Sequence, residues 1–327
     1  MANYLVTGGA GFIGSHMTET LLKEGHRVRV LDNFSSGRRE TIEFLKAAFA
    51  SSLEIIEGDI RDRKTCDQAV SGLDYVFHQA AQVSVPRSII DPETTQEVNI
   101  RGTLNVLQAS KKAGIKRLVL ASSTAIYGDS SNEKEAQKPK KETMVPNPLS
   151  PYALSKLVGE YYCRLFSKLY EMPAVVLRYF NVFGPRQDPQ SEYAAVIPKF
   201  ISRLLQGSPP IIYGDGQQSR DFVFVADVVQ ANLKACRQPG IAGEVFNVAS
   251  GRSVTLLQLV EQLKKIFKSD QVPVFAPARA GDIRYSRASI QKARKFLGYH
   301  PKTGLRRGLI ATITDAGGLT SRQNPNR

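Results

Sequence analysis

Cysteine is scarce. Cys66, Cys163 and Cys236 are the only three in 327 residues, and they stand far apart with no Cys-x-x-Cys pair. That spacing excludes a disulfide framework and a zinc-ligand set, so no metal is expected and the thiols read as small buried apolar groups. No apolar run approaches the roughly 20 residues a membrane helix needs. The first residues enter a strand at once, without a signal-peptide pattern, and the expected location is the cytoplasm, off the membrane. Lys and Arg outnumber Asp and Glu by 44 to 30, for a net charge of +14. These cations are dispersed and not gathered into a block with interleaved aromatics, so a solvated basic surface is expected and no nucleic-acid partner. At 42% hydrophobic and 23% charged, the chain is long enough for one large core or two coupled domains.

The most informative stretch is Thr7-Gly8-Gly9-Ala10-Gly11-Phe12-Ile13-Gly14, between the apolar run Tyr4 to Val6 and an amphipathic run opening at Phe12. It reads as strand, phosphate loop, helix. Gly8 serves the tight turn, Gly11 the approach of a pyrophosphate to backbone N–H groups, and Gly14 the close packing of helix on strand. The helix N-terminus faces the phosphate charge. Alone, such a loop is also an ordinary turn; its context is what carries weight. The next apolar run, Val28 to Leu31, ends in Asp32, whose carboxylate can accept both hydroxyls of an adenosine ribose. NAD is therefore expected over NADP, with Arg38 and Arg39 read as a solvated helix start.

Short apolar strands alternate with amphipathic stretches through the first half, the pattern of an α/β, Rossmann-type doubly wound parallel sheet. Strands are expected at Asn3 to Thr7, Arg27 to Leu31, Leu53 to Glu57, Tyr75 to His78, Arg117 to Ala121 and Ala174 to Leu177. Long helices are expected at Pro92 to Ala113 and Tyr152 to Tyr170, a pair suited to a homodimer contact. Residues 1–177 are assigned to the cofactor domain and 178–314 to a smaller C-terminal substrate-binding lobe. Residues 221–251, with the strand-like Glu244 to Val248, are expected to return to the main sheet. Residues 315–327 read as a frayed tail, and Asn132 to Glu142 as an exposed loop.

Tyr152 and Lys156 stand at i and i+4 on one helix face. A lone pair of this kind is as readily a surface feature. Upstream, however, Ser122-Ser123-Thr124 directly follows a strand, and in a parallel α/β sheet ligands bind beyond the carboxyl ends of strands.

These elements together resemble the extended short-chain dehydrogenase/reductase family, over nearly the whole chain to about Leu309. The resemblance includes Asp59-Ile60 after the third strand, His78-Gln79-Ala80-Ala81 after the fourth, and Asn99 on the long helix. It implies NAD held by Gly8, Gly11, Phe12, Ile13, Gly14, Asp32, Asn33, Asp59, Ile60, Gln79, Ala80, Ala81, Asn99, Tyr152, Lys156 and Tyr179. It implies catalysis by Tyr152 as base, Ser123 on the same hydroxyl, Thr124 assisting, and Lys156 favouring the phenolate.

The later segments resemble the UDP-hexose 4-epimerases of this family. Asn181, Ala195, Val196, Tyr213, Arg220, Arg279 and Asp282 match residues around the UDP group, and Ser84, Ser123 and Ser286 match residues around the sugar. Ala125 and Ile126 stand where sugar dehydratases carry Asp-Glu, which argues against dehydration. The residue four after the Asp of Arg279-Ala280-Gly281-Asp282 borders the C2 substituent in these enzymes; here it is Ser286, small enough to admit an N-acetyl group, although a slip of one residue would put Tyr285 there. The expectation is 4-epimerisation of UDP-N-acetylglucosamine, with UDP-glucose also accepted. The alternatives are a UDP-glucuronate 4-epimerase or decarboxylase, with Arg87 or Arg186 on the C6 carboxylate, and a non-catalytic nucleotide-binding scaffold.

Overall fold

Seven parallel strands form the central sheet, in the order Val245–Val248, β6 (Ala174–Tyr179), β5 (Arg117–Ser123), β4 (Tyr75–His78), β1 (Asn3–Thr7), β2 (Arg27–Asp32), β3 (Leu53–Glu57). The structure, a computed structural model, describes residues 1–129, 132–189, 195–278 and 283–317. Strand order reverses between β1 and β4, which opens a crevice at their carboxyl ends. The fold is the expected doubly wound one; β1 to β6 start where the sequence pattern puts them, and the last strand starts at Val245, one residue after the expected Glu244.

Alternation of side chains along each strand splits the core into two layers. Val6, Val30, Phe77 and Val119 face one side, where α1 (Phe12–Lys23) contributes Met17 and Leu21 and the helix Val225–Arg237 contributes Val228 and Leu233. Leu5, Leu31, Val76 and Leu118 face the other, against Val106 and Leu107 of the helix Thr103–Lys112 and Cys163 and Phe166 of the helix Pro151–Leu169. A buried Leu or Phe of this kind contributes about 1.5–3 kcal/mol over leaving it exposed. A separate smaller core joins Phe200, Ile201, Ile212, Leu259, Leu263 and Ile313, and forms the second lobe. All three cysteines are buried and free, packed as apolar groups.

Four local expectations need correction. The helix expected over Pro92 to Ala113 is continuous only through a π-helical turn at Glu97–Gly102, which carries Asn99. The stretch 132–142 is not wholly exposed: it holds a short helix, Glu133–Ala136, and Lys140 is only 6% exposed because its backbone pairs with Arg287 and Ser289. The strand β5 runs two residues further than expected, through Ser123. Asp315 does not begin a tail; it closes the helix Leu305–Asp315 and accepts from the Arg186 amide, while residues 318–327 lie outside the described residues.

Candidate active site

The glycine turn is enforced by sterics. Gly8 sits at φ +67, and a Cβ there would meet the Ala80 amide at 2.7 Å. A Cβ at Gly14 would stand 2.0 Å from the Gly8 carbonyl, so α1 can pack on the turn only with glycine at that position. Gly11 caps α1 in extended conformation, which leaves the amides of Phe12 and Ile13 without helical acceptors. Those donors, the helix dipole and the absence of side chains fit a diphosphate.

Asp32 ends β2 and is 7% exposed, with Ala10 and Phe34 amides donating to its two oxygens at 2.9 Å each. Burial pushes its carboxyl up, against these two bonds. Each oxygen keeps a lone pair for a ribose hydroxyl. Asn33 donates to Asp59 at 2.9 Å, and Asp59 also holds Arg61. Ile60 is buried against Gly102. Arg38 and Arg39 are engaged with Asp188 and Glu57, at 3.2 and 2.7 Å, so neither guanidinium waits for a 2′-phosphate. The residues present fit NAD.

After β4 the chain turns past the glycine loop, with the Ala80 amide donating to Thr7 Oγ1. His78 does not line this surface: it is 1% exposed between Thr7 and Thr103, and burial drives it down to about 3, leaving a neutral ring. Gln79 and Asn232 instead share the Tyr179 hydroxyl, so that phenol is occupied by protein groups. Asn99 holds both the amide and the carbonyl of Gln82, at 2.8 and 2.9 Å, and also reaches Ser155. It thereby ties the loop carrying Ala81 and Ser84 to the helix of Tyr152 and Lys156. Ser84 caps the helix Val85–Ile90 through the Arg87 amide.

Tyr152, in the first turn of Pro151–Leu169, is buried, and its phenol faces the Ser123 hydroxyl at the end of β5, which favours the phenolate. Ser123 also caps the short 3-10 turn Thr124–Tyr127, which places Thr124 beside it. Lys156 lies on the same helix face, its ammonium donating to the Ala121 carbonyl at 3.0 Å and standing 5.8 Å from the centre of the Tyr152 ring. The expected lowering of the Tyr152 phenol by Lys156 is not what governs this state. Burial pushes the phenol up, eased by the Ser123 hydroxyl, and pushes the Lys156 ammonium down to about 8.

Ser122, grouped with Ser123 and Thr124 in the sequence, points the other way. Its hydroxyl donates to Glu160 at 2.5 Å, and Glu160 forms a buried ion pair with Arg178. Arg178 donates to the Tyr127 hydroxyl, which donates to Asn247. This network was invisible in sequence because its members lie on five separate elements; Glu160, one turn beyond Lys156, was its only local signal.

The second lobe is brought to this point through strand neighbours. Ser123 pairs in register with Tyr179, and two residues on, Asn181 pairs with Phe222. The Asn181 amide donates to the Asp221 carbonyl, and its buried side-chain oxygen has no partner among the described residues. Arg220, beside Asp221, donates to the Ile283 carbonyl at 2.6 Å. Ser286, 6% exposed, donates its amide to Ser219 at 3.1 Å, and Tyr285 turns outward to Glu133 at 2.7 Å. Tyr213 is half-buried on a strand beside Ala276, and Ala195 and Val196 open the helix Val196–Leu205. Arg279 and Asp282 lie outside the described residues.

A glycine-capped diphosphate site facing a Ser-Tyr-Lys set defines a nicotinamide-dependent enzyme of the extended short-chain dehydrogenase/reductase class. The chain matches the model of the NAD dependent epimerase/dehydratase family over residues 4–249 and belongs to that family. It is similar to the UDP-glucose 4-epimerase of Thermotoga maritima solved with UDP-glucose, at 40% identity and TM-score 0.89, covering 96% of this chain and 98% of that one. It is similar to the UDP-N-acetylglucosamine 4-epimerase of Methanobrevibacter ruminantium in complex with UDP-N-acetylmuramic acid, at 39% identity and TM-score 0.89, covering 96% and 98%. A third similar structure is the UDP-glucuronic acid 4-epimerase of Bacillus cereus with UDP-glucuronic acid and NAD, at 31% identity and TM-score 0.87, covering 97% and 100%.

Proposed function

We propose that the protein is a UDP-sugar 4-epimerase whose preferred substrates are UDP-N-acetylglucosamine and UDP-N-acetylgalactosamine, with UDP-glucose and UDP-galactose also accepted. The single observation that carries the substrate choice is the alternation at 285 and 286: Ser286 is buried beside the Arg220 strand, and Tyr285 is turned out to Glu133. A small residue facing the sugar leaves room for an acetamido group at C2.

Bound NAD would supply a hydride acceptor and donor for C4, so that the 4-keto sugar forms without net oxidation. Tyr152 takes the C4 hydroxyl proton and gives it back, and Ser123, facing Tyr152, holds the same oxygen. Thr124 lines the approach beside Ser123. Lys156 supplies a positive charge next to the phenol and a donor for the nicotinamide ribose. Asn181 accepts from a sugar hydroxyl with its unpartnered oxygen, and Arg220 and Arg279 hold the diphosphate while Asp282 takes the uridine ribose. Tyr213, Ala195 and Val196 flank the base. The substrate lobe is assigned to residues 178–314, less the 221–251 stretch.

The uronate reading has less support, since Arg186 is already paired with Glu19. A non-catalytic scaffold would have no use for the buried Ser123–Tyr152 pair. The helix Pro151–Leu169 exposes Leu154, Tyr161 and Leu165 in one stripe, near exposed Ile89 and Ile90, and we assign this face to a homodimer. Three free, buried thiols suit a reducing cytoplasm.

The test is incubation of the purified protein with UDP-N-acetylglucosamine, UDP-glucose and UDP-glucuronate in separate samples, following C4 configuration by proton NMR. Fastest conversion of the N-acetyl sugar is expected; preferential turnover of UDP-glucuronate refutes the assignment.

A further inference from the structure

Outside the cofactor and substrate residues lies a cavity of about 250 Å³ between the loop after the strand Val245–Val248 and the segment following Ser286. Ser250, Arg252, Arg287, Ser289 and Arg294 line it. None of the residues assigned above to NAD or UDP-sugar binding does. The space has room for a diphosphate and is far more than a single halide needs.

The walls are braced from beneath by one buried carboxylate. Asp221 accepts from the Ser250 amide and hydroxyl at 2.9 and 2.7 Å, and from the Gly251 and Ala288 amides at 3.1 and 3.0 Å. Both loops are therefore fixed before any ligand arrives. The three arginines above them face no carboxylate. Among the described residues none of Arg252, Arg287 and Arg294 forms an ion pair of the kind Arg284 makes with Asp215. An anion gripped by several guanidiniums around one concavity gains charge-assisted hydrogen bonds from each.

We propose that this cavity is a binding site for a small diphosphate-bearing ligand, separate from the NAD and UDP-sugar sites. The ligand chemistry follows from three exposed guanidiniums and the Ser289 hydroxyl around one concavity with a braced backbone; a long basic surface would suit a nucleic acid strand better.

The test is equilibrium dialysis of radiolabelled inorganic pyrophosphate against the full chain, at fixed ionic strength, with NAD and UDP saturating so that other diphosphate sites are filled. Saturable binding near one equivalent is expected. R287Q/R294Q is expected to weaken it about tenfold or more, as loss of charge-assisted hydrogen bonds does. R306Q/R307Q, an equal charge change on the exposed face of another helix, leaves it unchanged. Thermal unfolding and UDP affinity of both variants verify that the fold is intact. No saturable binding, abolition by UDP, or equal loss in the two variants overturns the proposal; none of these outcomes bears on the epimerase reading.

Discussion

The Lys156 ammonium donates to the Ala121 carbonyl at 3.0 Å and so anchors the catalytic helix to the strand that ends in Ser123. Lys156 thus has a positioning role beside the polarising one proposed for it. Burial dominates at both groups, holding the Tyr152 phenol up and the Lys156 ammonium down, to about 8.

Tyr152→Phe removes the proposed proton carrier while keeping the ring. Turnover is expected to fall about 10²–10⁴-fold, with UDP affinity by calorimetry nearly unchanged. Lys156→Met is expected to lower turnover too, and raising the pH from 7 to 9 will not restore it. A Tyr152→Phe variant of normal rate contradicts the assignment of the base.

Ser286→Tyr places a bulky ring beside the Arg220 strand. Turnover of UDP-N-acetylglucosamine is expected to drop at least about tenfold, the factor for 1.4 kcal/mol, and that of UDP-glucose much less. Equal losses on both sugars remove Ser286 from the role of gate.

Glu160→Gln leaves the Arg178 charge buried without its partner, in a pair whose side chains are 4% and 5% exposed. The expected loss is about 3 kcal/mol of stability, read as a lowered urea midpoint. Replacing both residues with Met should recover part of it.

Asp221 gives a pH-dependent term of definite sign. Burial pushes its carboxyl up to about 6, against the bonds from Ser250, Ala288 and Gly251. The folded state then holds the proton more tightly than an unfolded Asp at about 3.9, so this stabilising contribution is full below that pH and lost as pH rises through about 6. Relative to Asp221→Asn, the native protein should lose on the order of 2 kcal/mol between pH 4 and pH 7. Urea midpoints at the two pH values measure it; parallel pH profiles would show that Asp221 does not titrate in this range.

Much of this protein was legible locally. The glycine turn, the alternating strands and the Tyr152–Lys156 spacing follow from short-range sterics and periodicity, which a linear sequence records directly. The family and its cofactor followed from those same residues. The proposed substrate preference rests on the register at 285 and 286, a single-residue matter that sequence spacing alone left open.

What only the tertiary structure decided depends on which side of a strand or helix a group meets. Ser122 and Ser123 are adjacent and chemically alike, yet the pleat sends one to Glu160 and the other to Tyr152. His78 looked like part of the cofactor loop and proved to be a buried clasp between Thr7 and Thr103. Asp221, Asn247 and Lys140 are far apart in the chain, and only the folding of two lobes onto one sheet makes them the frame behind Ser286. Sequence determined which elements form, because that is set by neighbours along the chain; the fold decided which polar groups share a buried partner, because that is set by neighbours in space.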